Sequence, residues 1–431
     1  MFSNITCYTI DKYQPNAQPH VKIREERKLL VHNLTASFSG SLAAPFLTIF
    51  YYEIAKQSFF LTGLVNYAPT LLSVFMGLIW ARISDSNGKR KTFVVIASAT
   101  GIATTMAMSY VENVDQLLVI RLAGAITGSA GGAAFSALFA KTFKKNRGSS
   151  LGKYDAMGII GSFVGSLASG YLYSTIGFRT MLRIIALLNL IPLGIILSIK
   201  EEPEPRHKFD LKHLVEIPRI PRKFWRVYAS RLLITLPGSI GGSIIGIYFI
   251  KYLGGTPELW SIVAAATTLT GLSSTLYGKL ADRMSVRQMF TLAGLGWTAL
   301  YIGYFLAQDP IIFAAILVIP VWPAFWVAYR KALMDISDQT ERATFFAVES
   351  LLTSIYGSVL GITTSYIADL INPRMLFLVS AIAALSSTIA VQKLLSFEKG
   401  LNVKKPPFEV HVNLEPIIEP ISKIKGKMIS H

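Results

Sequence analysis

Apolar positions along this chain do not come and go with the period of a half-buried helix or strand. They run on almost unbroken for about 20 residues, stop at a short polar stretch, and begin again. Twelve such runs stand out, at about residues 31–55, 59–82, 91–111, 116–140, 150–175, 180–199, 227–253, 258–281, 288–307, 310–333, 342–369 and 375–396. Each is long enough for an α-helix to cross a hydrocarbon core of roughly 30 Å. Barrel strands would show short segments of alternating apolar and polar positions, which these runs lack, so the pattern predicts twelve transmembrane helices, spans 1 to 12. Several runs are rich in Gly, Ala, Ser and Thr, which let membrane helices pack closely.

The polar stretches between runs alternate in charge. One set carries Lys89, Arg90 and Lys91, then Lys141, Lys144, Lys145 and Arg147, then Arg283 and Arg287. The other set is short and carries acids such as Glu112, Asp115 and Asp309. Excess Lys and Arg marks the cytoplasmic side of a membrane. The N-terminal segment, with Lys22, Arg24, Arg27 and Lys28, falls on that side, and an even number of spans returns the C-terminus to it. Residues 200–226 interrupt the runs with Pro203, Pro205, Pro218 and Pro221 among many bases, and read as a cytoplasmic linker. Within it, residues 208–217 suit a short helix lying on the headgroups. The expected organisation is a cytoplasmic tail (1–30), a six-helix half (31–199), the linker (200–226), a second six-helix half (227–396) and a poorly ordered cytoplasmic tail (397–431).

Composition agrees. Of 431 residues, 52% are hydrophobic and 16% charged, where a soluble chain carries about 25% charged residues; mean hydropathy is +0.46. A net charge of +17 by itself would suit a nucleic-acid partner. The bases sit in short segments between apolar runs, so the charge reads as an orientation signal against a lipid bilayer, with no nucleic acid involved. The lone cysteine, Cys7, excludes an intrachain disulfide and argues against a redox or metal cluster. Residues 1–30 lack the short apolar core of a cleavable signal peptide. No metal cluster, nucleotide-binding loop or nucleophile–base pair is visible, so the sequence predicts no cofactor, no enzyme and no ATP-driven transport by this chain alone.

The chain repeats itself at a spacing that stays between 195 and 198 residues. Residues 81–91 read Ala-Arg-Ile-Ser-Asp-Ser-Asn-Gly-Lys-Arg-Lys, and residues 278–287 read Gly-Lys-Leu-Ala-Asp-Arg-Met-Ser-Val-Arg. Each puts one Asp, Asp85 or Asp282, where an apolar run stops and a basic cluster begins. Gly40-Ser41 answers Gly238-Ser239, Ala137-Leu138 answers Ala332-Leu333, Arg147 answers Arg342, and Arg179 answers Arg374. Gly161 and Gly165 answer Gly357 and Gly361, and read as close-packed helix seams rather than ligand sites. An offset that spans an even number of crossings makes the halves parallel repeats.

Twelve spans in a six-plus-six duplication, a basic linker and this turn between spans 2 and 3 resemble the major facilitator superfamily, over about residues 30–396. Its signature there is G-x-L-A-D-R-x-G-R-R/K. The second copy matches at Gly278, Leu280, Ala281, Asp282, Arg283 and Arg287, with Ser285 in place of Gly. The first keeps Asp85, Gly88, Lys89 and Arg90, with Ala81, Ile83 and Ser86 as departures. The resemblance implies a gate: the turn packs across the boundary between halves and secures the outward-facing state. Asp85 would meet the start of span 11, around Glu341 and Arg342, and Asp282 the start of span 5, around Arg147. Without the resemblance, these are topogenic charges. The span-5 seam is similar to the family's antiporter motif, but Ser166 stands where that motif has Pro.

Four places within the spans carry candidate chemistry. Arg121, in span 4, resembles the first position of the family's R-x-x-Q-G motif, which implies proton coupling, with Gly124 and Ala125 replacing Gln and Gly. Physically it needs a carboxylate, carbonyl or anionic substrate as partner, or else snorkels outward from a depth of about 7 Å. Glu349, two turns inside span 11, is a candidate for proton coupling or cation recognition, because burial favours the protonated form of a carboxyl group. Asp155 in span 5 is a second candidate, or an internal partner of Lys153 or Arg147. Trp322, Trp326 and Tyr329 follow helical spacing beside Pro320 and Pro323 in span 10, and form a stacking wall for an apolar substrate or else a packing face. The reading is a monomeric, proton-coupled secondary transporter of a small organic solute in the plasma membrane, leaning to efflux of amphipathic compounds. An uptake permease for a metabolite is the rival within that class. A non-transporting sensor or scaffold and a polytopic enzyme are the rivals outside it.

Overall fold

The computed structural model describes residues 19–143, 147–201, 224–336 and 342–395. Among them every regular element is helical. Span 1 is Pro19–Ile54, span 2 Phe59–Asn87, span 3 Arg90–Met108, and span 4 joins Val114–Gly128 to Ala130–Thr142. Spans 5 and 6 lie in Arg147–Leu188 and Leu190–Ser198. Span 7 runs through Trp225–Gly241, Ile245–Ile247 and a π-helical turn, Tyr248–Tyr252; span 8 through Pro257–Thr270, Gly271–Ser273 and Ser274–Arg283. Span 9 is Val286–Leu306, span 10 Pro310–Leu317 with Trp322–Ile336, span 11 Arg342–Leu370 and span 12 Pro373–Leu395. The linker segment 208–217, residues 1–18 and 396–431, and Glu341 lie outside the described residues, and residues 19–30 of the expected N-terminal tail continue the helix of span 1.

Eleven segments are long and apolar enough to cross a bilayer, and one of them, Ser149–Ser198, holds 50 residues. At 1.5 Å per residue that is about 75 Å, more than twice a hydrocarbon core. Gly177 breaks it, at φ 73° and ψ 158°, a conformation that favours glycine. The chain doubles back there. Asn33 near the start of span 1 donates to the Tyr154 carbonyl at 2.7 Å, and Lys28 donates to the Ser198 carbonyl at 2.7 Å, so both ends of the segment return to one face of the bundle. The segment therefore holds two stretches of crossing length, which with the other ten makes twelve among the described residues. Val119, Leu187, Ile262, Leu295 and Ile382 are exposed on the spans, a dry apolar exterior suited to lipid.

Asp85, Asp282 and the two ends of the linker share one end of the bundle, called here the linker end. The buried core is arranged unevenly along the spans. At the far end a single cluster joins the halves, with Phe46, Phe50, Tyr51 and Phe59 from the first and Tyr248, Phe249, Phe313 and Phe377 from the second. At the linker end each half has its own cluster, around Leu29, Phe93 and Leu138 in the first and Phe224, Phe290 and Tyr329 in the second.

Polar bridges between the halves gather at the far end too. Asp369, closing span 11, accepts from the backbone N–H of Phe59 at 2.7 Å, that of Phe60 at 2.9 Å and the Ser58 hydroxyl at 2.9 Å. A carboxylate there satisfies the free N–H groups of span 2 and complements its dipole. Ser174 bonds Glu258 in the first turn of span 8. Lys251 pairs with Glu53 at 2.6 Å, and the Trp260 indole donates to the Pro45 carbonyl at 2.7 Å. Glu53 and Lys251 occupy equivalent positions in the repeat, so the duplication meets itself with opposite charges at the ends of spans 1 and 7.

The glycine seam is borne out in part. A Cβ on Gly161 or Gly165 would run into the carbonyls of Leu34 or Phe38, which brings span 5 hard against span 1, and one on Gly361 would strike the Tyr67 ring. Gly357 departs from the pattern: nothing lies within 4 Å of its Cβ position, because it faces a cavity.

Candidate functional site

Broken helices surround that cavity. Two prolines three apart end the first part of span 10 at Leu317 and restart it at Trp322. The freed Pro320 carbonyl accepts from the Tyr277 hydroxyl of span 8 at 2.8 Å, so the break is satisfied by a neighbouring helix. The restart turns Trp322 and Trp326 toward a space of about 430 Å³, walled also by Tyr67, Trp297 and Phe325, with Gly357 and Ser358 from span 11. The Trp322 indole is fixed by a 2.7 Å bond to the Thr270 hydroxyl. Tyr329 is fully buried one layer behind this wall.

The charge in this cavity is Arg231 of span 7, which sequence reasoning missed. Its Nε donates to Glu349 Oε1 at 3.1 Å, and one Nη donates to the Thr235 hydroxyl at 2.7 Å. Its guanidinium carbon lies 4.6 Å from the Trp326 ring centre, 5.0 Å from Phe325 and 5.5 Å from Tyr329. Aromatic faces attract a cation, so this guanidinium sits in a π-lined pocket. Glu349 is itself buried, which makes the ion pair a desolvated one. Breaking such a pair by removing one partner is costly.

A second space of about 360 Å³ lies in the first half, between spans 1, 2, 3, 4 and 6, and the two meet at Thr70. Arg121 lines it, with its guanidinium 5.3 Å from the Tyr51 ring centre. It does not snorkel outward, for its Nε is buried. Asp155 is exposed on span 5 and outside both linings, as is Lys153 beside it.

At the linker end, Asp85 pairs with Arg90 across its own turn and stays 61% exposed. Gly88 closes span 2 at φ 69°. The carboxylate at the start of span 3 belongs to Glu201, which accepts from the backbone N–H groups of Arg90 at 2.6 Å and Lys91 at 2.9 Å. Lys89 stands just before that helix, as its N-cap. In the second copy, Ser285 and Gln288 form a capping box at the start of span 9, Arg287 bonds Gln392 at 3.3 Å, and Lys331 caps the end of span 8 through the Ala281 and Met284 carbonyls. Asp282 and Arg283 are exposed, and a Cβ on Gly278 would meet open space. The partners expected at the starts of spans 11 and 5 fall outside the described residues: Glu341 entirely, Arg342 and Arg147 in their side chains.

The sequence profile of the Major Facilitator Superfamily matches residues 29–253 and 227–427. Multidrug resistance protein MdtG of Dickeya zeae (strain Ech586) is 29% identical over 277 residues, which take in 60% of this chain and 67% of that one. The Staphyloferrin B transporter of Staphylococcus aureus (strain NCTC 8325 / PS 47) is 22% identical over 360 residues, 77% of this chain and 84% of that one. Among solved structures, a mutant of the nucleoside transporter NupG is similar with a TM-score of 0.73 at 12% identity, over 86% of this chain and 99% of that one. A bacterial homolog of the human lysosomal transporter Spinster, inward-facing and unoccupied, gives 0.64 at 16% identity, over 88% and 96%. At these identities the solved structures speak for the fold alone. With the family profile running through both halves, the chain belongs to the Major Facilitator Superfamily and is a multi-pass membrane transporter.

Proposed function

We propose that this protein is a proton-coupled exporter of small amphipathic organic molecules, working as a monomer in the plasma membrane with both termini in the cytoplasm. The observation that carries the reading is the buried Glu349–Arg231 pair set into the aromatic wall of the cavity. With Glu349 ionised, the pair ties span 11 to span 7. A proton on Glu349 cancels one charge, loosens that tie, and leaves Arg231 held by the Thr235 hydroxyl and its aromatic ring faces. Cargo entering the aromatic cavity displaces the same contacts, so proton and cargo compete for one arrangement of spans 7, 10 and 11.

The positive-inside bias makes the linker end cytoplasmic. A core that joins the halves at the far end and divides at the linker end then suits an inward-facing state. The exposed Asp85 and Asp282 suit a gate that is open in this state. When the linker end closes, Asp85, Gly88, Lys89 and Arg90 would meet span 11 near Arg342, and Gly278, Asp282, Arg283 and Arg287 would meet span 5 near Arg147. Two relatives named for multidrug resistance support export of varied apolar cargo. Asp155, exposed and away from both cavities, is the weaker coupling candidate.

Proteoliposomes with an imposed pH gradient test this. Transport of an amphipathic dye should follow the gradient and reverse with its sign in the wild type, and lose that response in Glu349→Gln. A rate indifferent to the gradient in both proteins would end the proton-coupled reading.

A further inference from the structure

Arg179, Arg183, Arg374 and Arg231 are half-buried in the spans and each has a polar partner; Arg121 differs. Arg179 donates to the Ser109 carbonyl at 3.1 Å and Arg183 to the Ser109 hydroxyl at 3.3 Å. Arg374 donates to the Phe305 carbonyl at 2.6 Å, and Arg231 has Glu349 and Thr235. Arg121 makes no hydrogen bond or ion pair among the described residues; it has the Tyr51 ring, and its buried Nε has no acceptor. The Tyr51 hydroxyl beneath it is likewise buried and without a partner. An uncompensated cation at membrane depth is among the costlier features a fold holds, and it marks a place where a ligand supplies the missing charge.

The surroundings say which charge. No carboxylate lines the second cavity. Four of its hydroxyls have spent their protons on their own helices: Thr70 donates to the Asn66 carbonyl, Ser73 to Thr70, and Thr104 and Thr105 to Gly101. The donors left over are the Arg121 guanidinium, the Asn189 amide and the Ser39 hydroxyl, which line the same space, and of these only the guanidinium is charged. In the adjoining cavity Arg231 is neutralised by Glu349, so the joined space carries one unbalanced positive charge.

We propose that Arg121 is the subsite for the oxyanion of the cargo, which makes the transported compounds amphipathic organic anions. The aromatic or planar body stacks among Trp322, Trp326 and Phe325. A carboxylate or similar group reaches past Thr70 to the fork of Arg121, a geometry guanidinium groups favour. This rests on the reading of the joined cavities as the cargo site.

The test uses the full-length protein in nanodiscs and a matched pair of probes, 2-naphthylacetate and its uncharged amide, with binding read from tryptophan fluorescence. Wild type should bind the carboxylate about tenfold or more tightly than the amide, the worth of one charge-assisted contact. Arg121→Gln should bring the ratio close to one with amide affinity unchanged, and Arg121→Lys should keep part of it. Equal binding of the two probes by wild type, or a ratio unmoved in Arg121→Gln, overturns the subsite while leaving the cargo site standing. Failure of both probes to bind wild type overturns both. Inorganic phosphate that binds wild type and displaces neither probe would give Arg121 to a free ion and overturn the cargo assignment. Thermal stability supplies a second measurement. Without ligand, Arg121→Gln should melt no lower than wild type, since it removes a charge that has no partner. A clear drop would reveal a structural role and count against the proposal.

Discussion

At the residue scale, the Glu349–Arg231 pair makes the sharpest demands. Arg231→Gln leaves a carboxylate buried without its counter-charge and should lower stability by about 3–5 kcal/mol. Adding Glu349→Gln should recover most of that loss, because two neutral polar groups need no counter-ion, and denaturation of the two variants beside wild type reads the difference. Trp322→Phe keeps the ring and deletes the bond to Thr270; it should cost about 1 kcal/mol of cargo affinity, roughly fivefold in a binding titration. Glu349 was visible in the sequence as a carboxylate inside an apolar run. Arg231 was not, because it follows closely on Arg222, Lys223 and Arg226 and reads as the last of a run of orientation charges. Only the packing of span 7 on span 11 shows that it turns inward.

At the scale of elements, small residues and prolines set where helices approach and where they break. That Gly161 and Gly165 form a close-packed seam was readable from spacing, though not that span 1 is what packs on it. Its likeness to Gly357 and Gly361 misled at Gly357, since a repeat preserves positions and not what packs on them. Gly165→Leu should drive a side chain into the Phe38 carbonyl and destabilise the first half by about 1–3 kcal/mol, whereas Gly357→Ala should fold normally and change cargo selectivity. The far-end bridges escaped the sequence reading altogether. Asp369 sits at a span end like any topogenic acid, and its service as the cap of span 2 becomes visible only when the halves are brought together. Asp369→Ala removes acceptors worth about 1 kcal/mol, which should shift the balance of far-end closed to open forms roughly fivefold. Labelling of a far-end cysteine by an impermeant reagent should quicken to match.

At the scale of the whole molecule, the sequence led to twelve crossings, two repeated halves and a membrane exterior because each depends on runs of residues, and runs survive local exceptions. It did not yield the state of the machine. That depends on which ends of the halves touch, which here is the far end, through one shared core and a set of bridges between repeat-related positions. In such a machine closure of one end opens the other. Distances between spin labels test it most directly, with one pair at Asn87 and Met334 across the linker end and a second at Thr175 and Ile311 across the far end. As pH and cargo are varied, the two distance distributions should shift in opposite senses, one shortening as the other lengthens. Two ends that stay fixed, or that open and close together, would contradict the account.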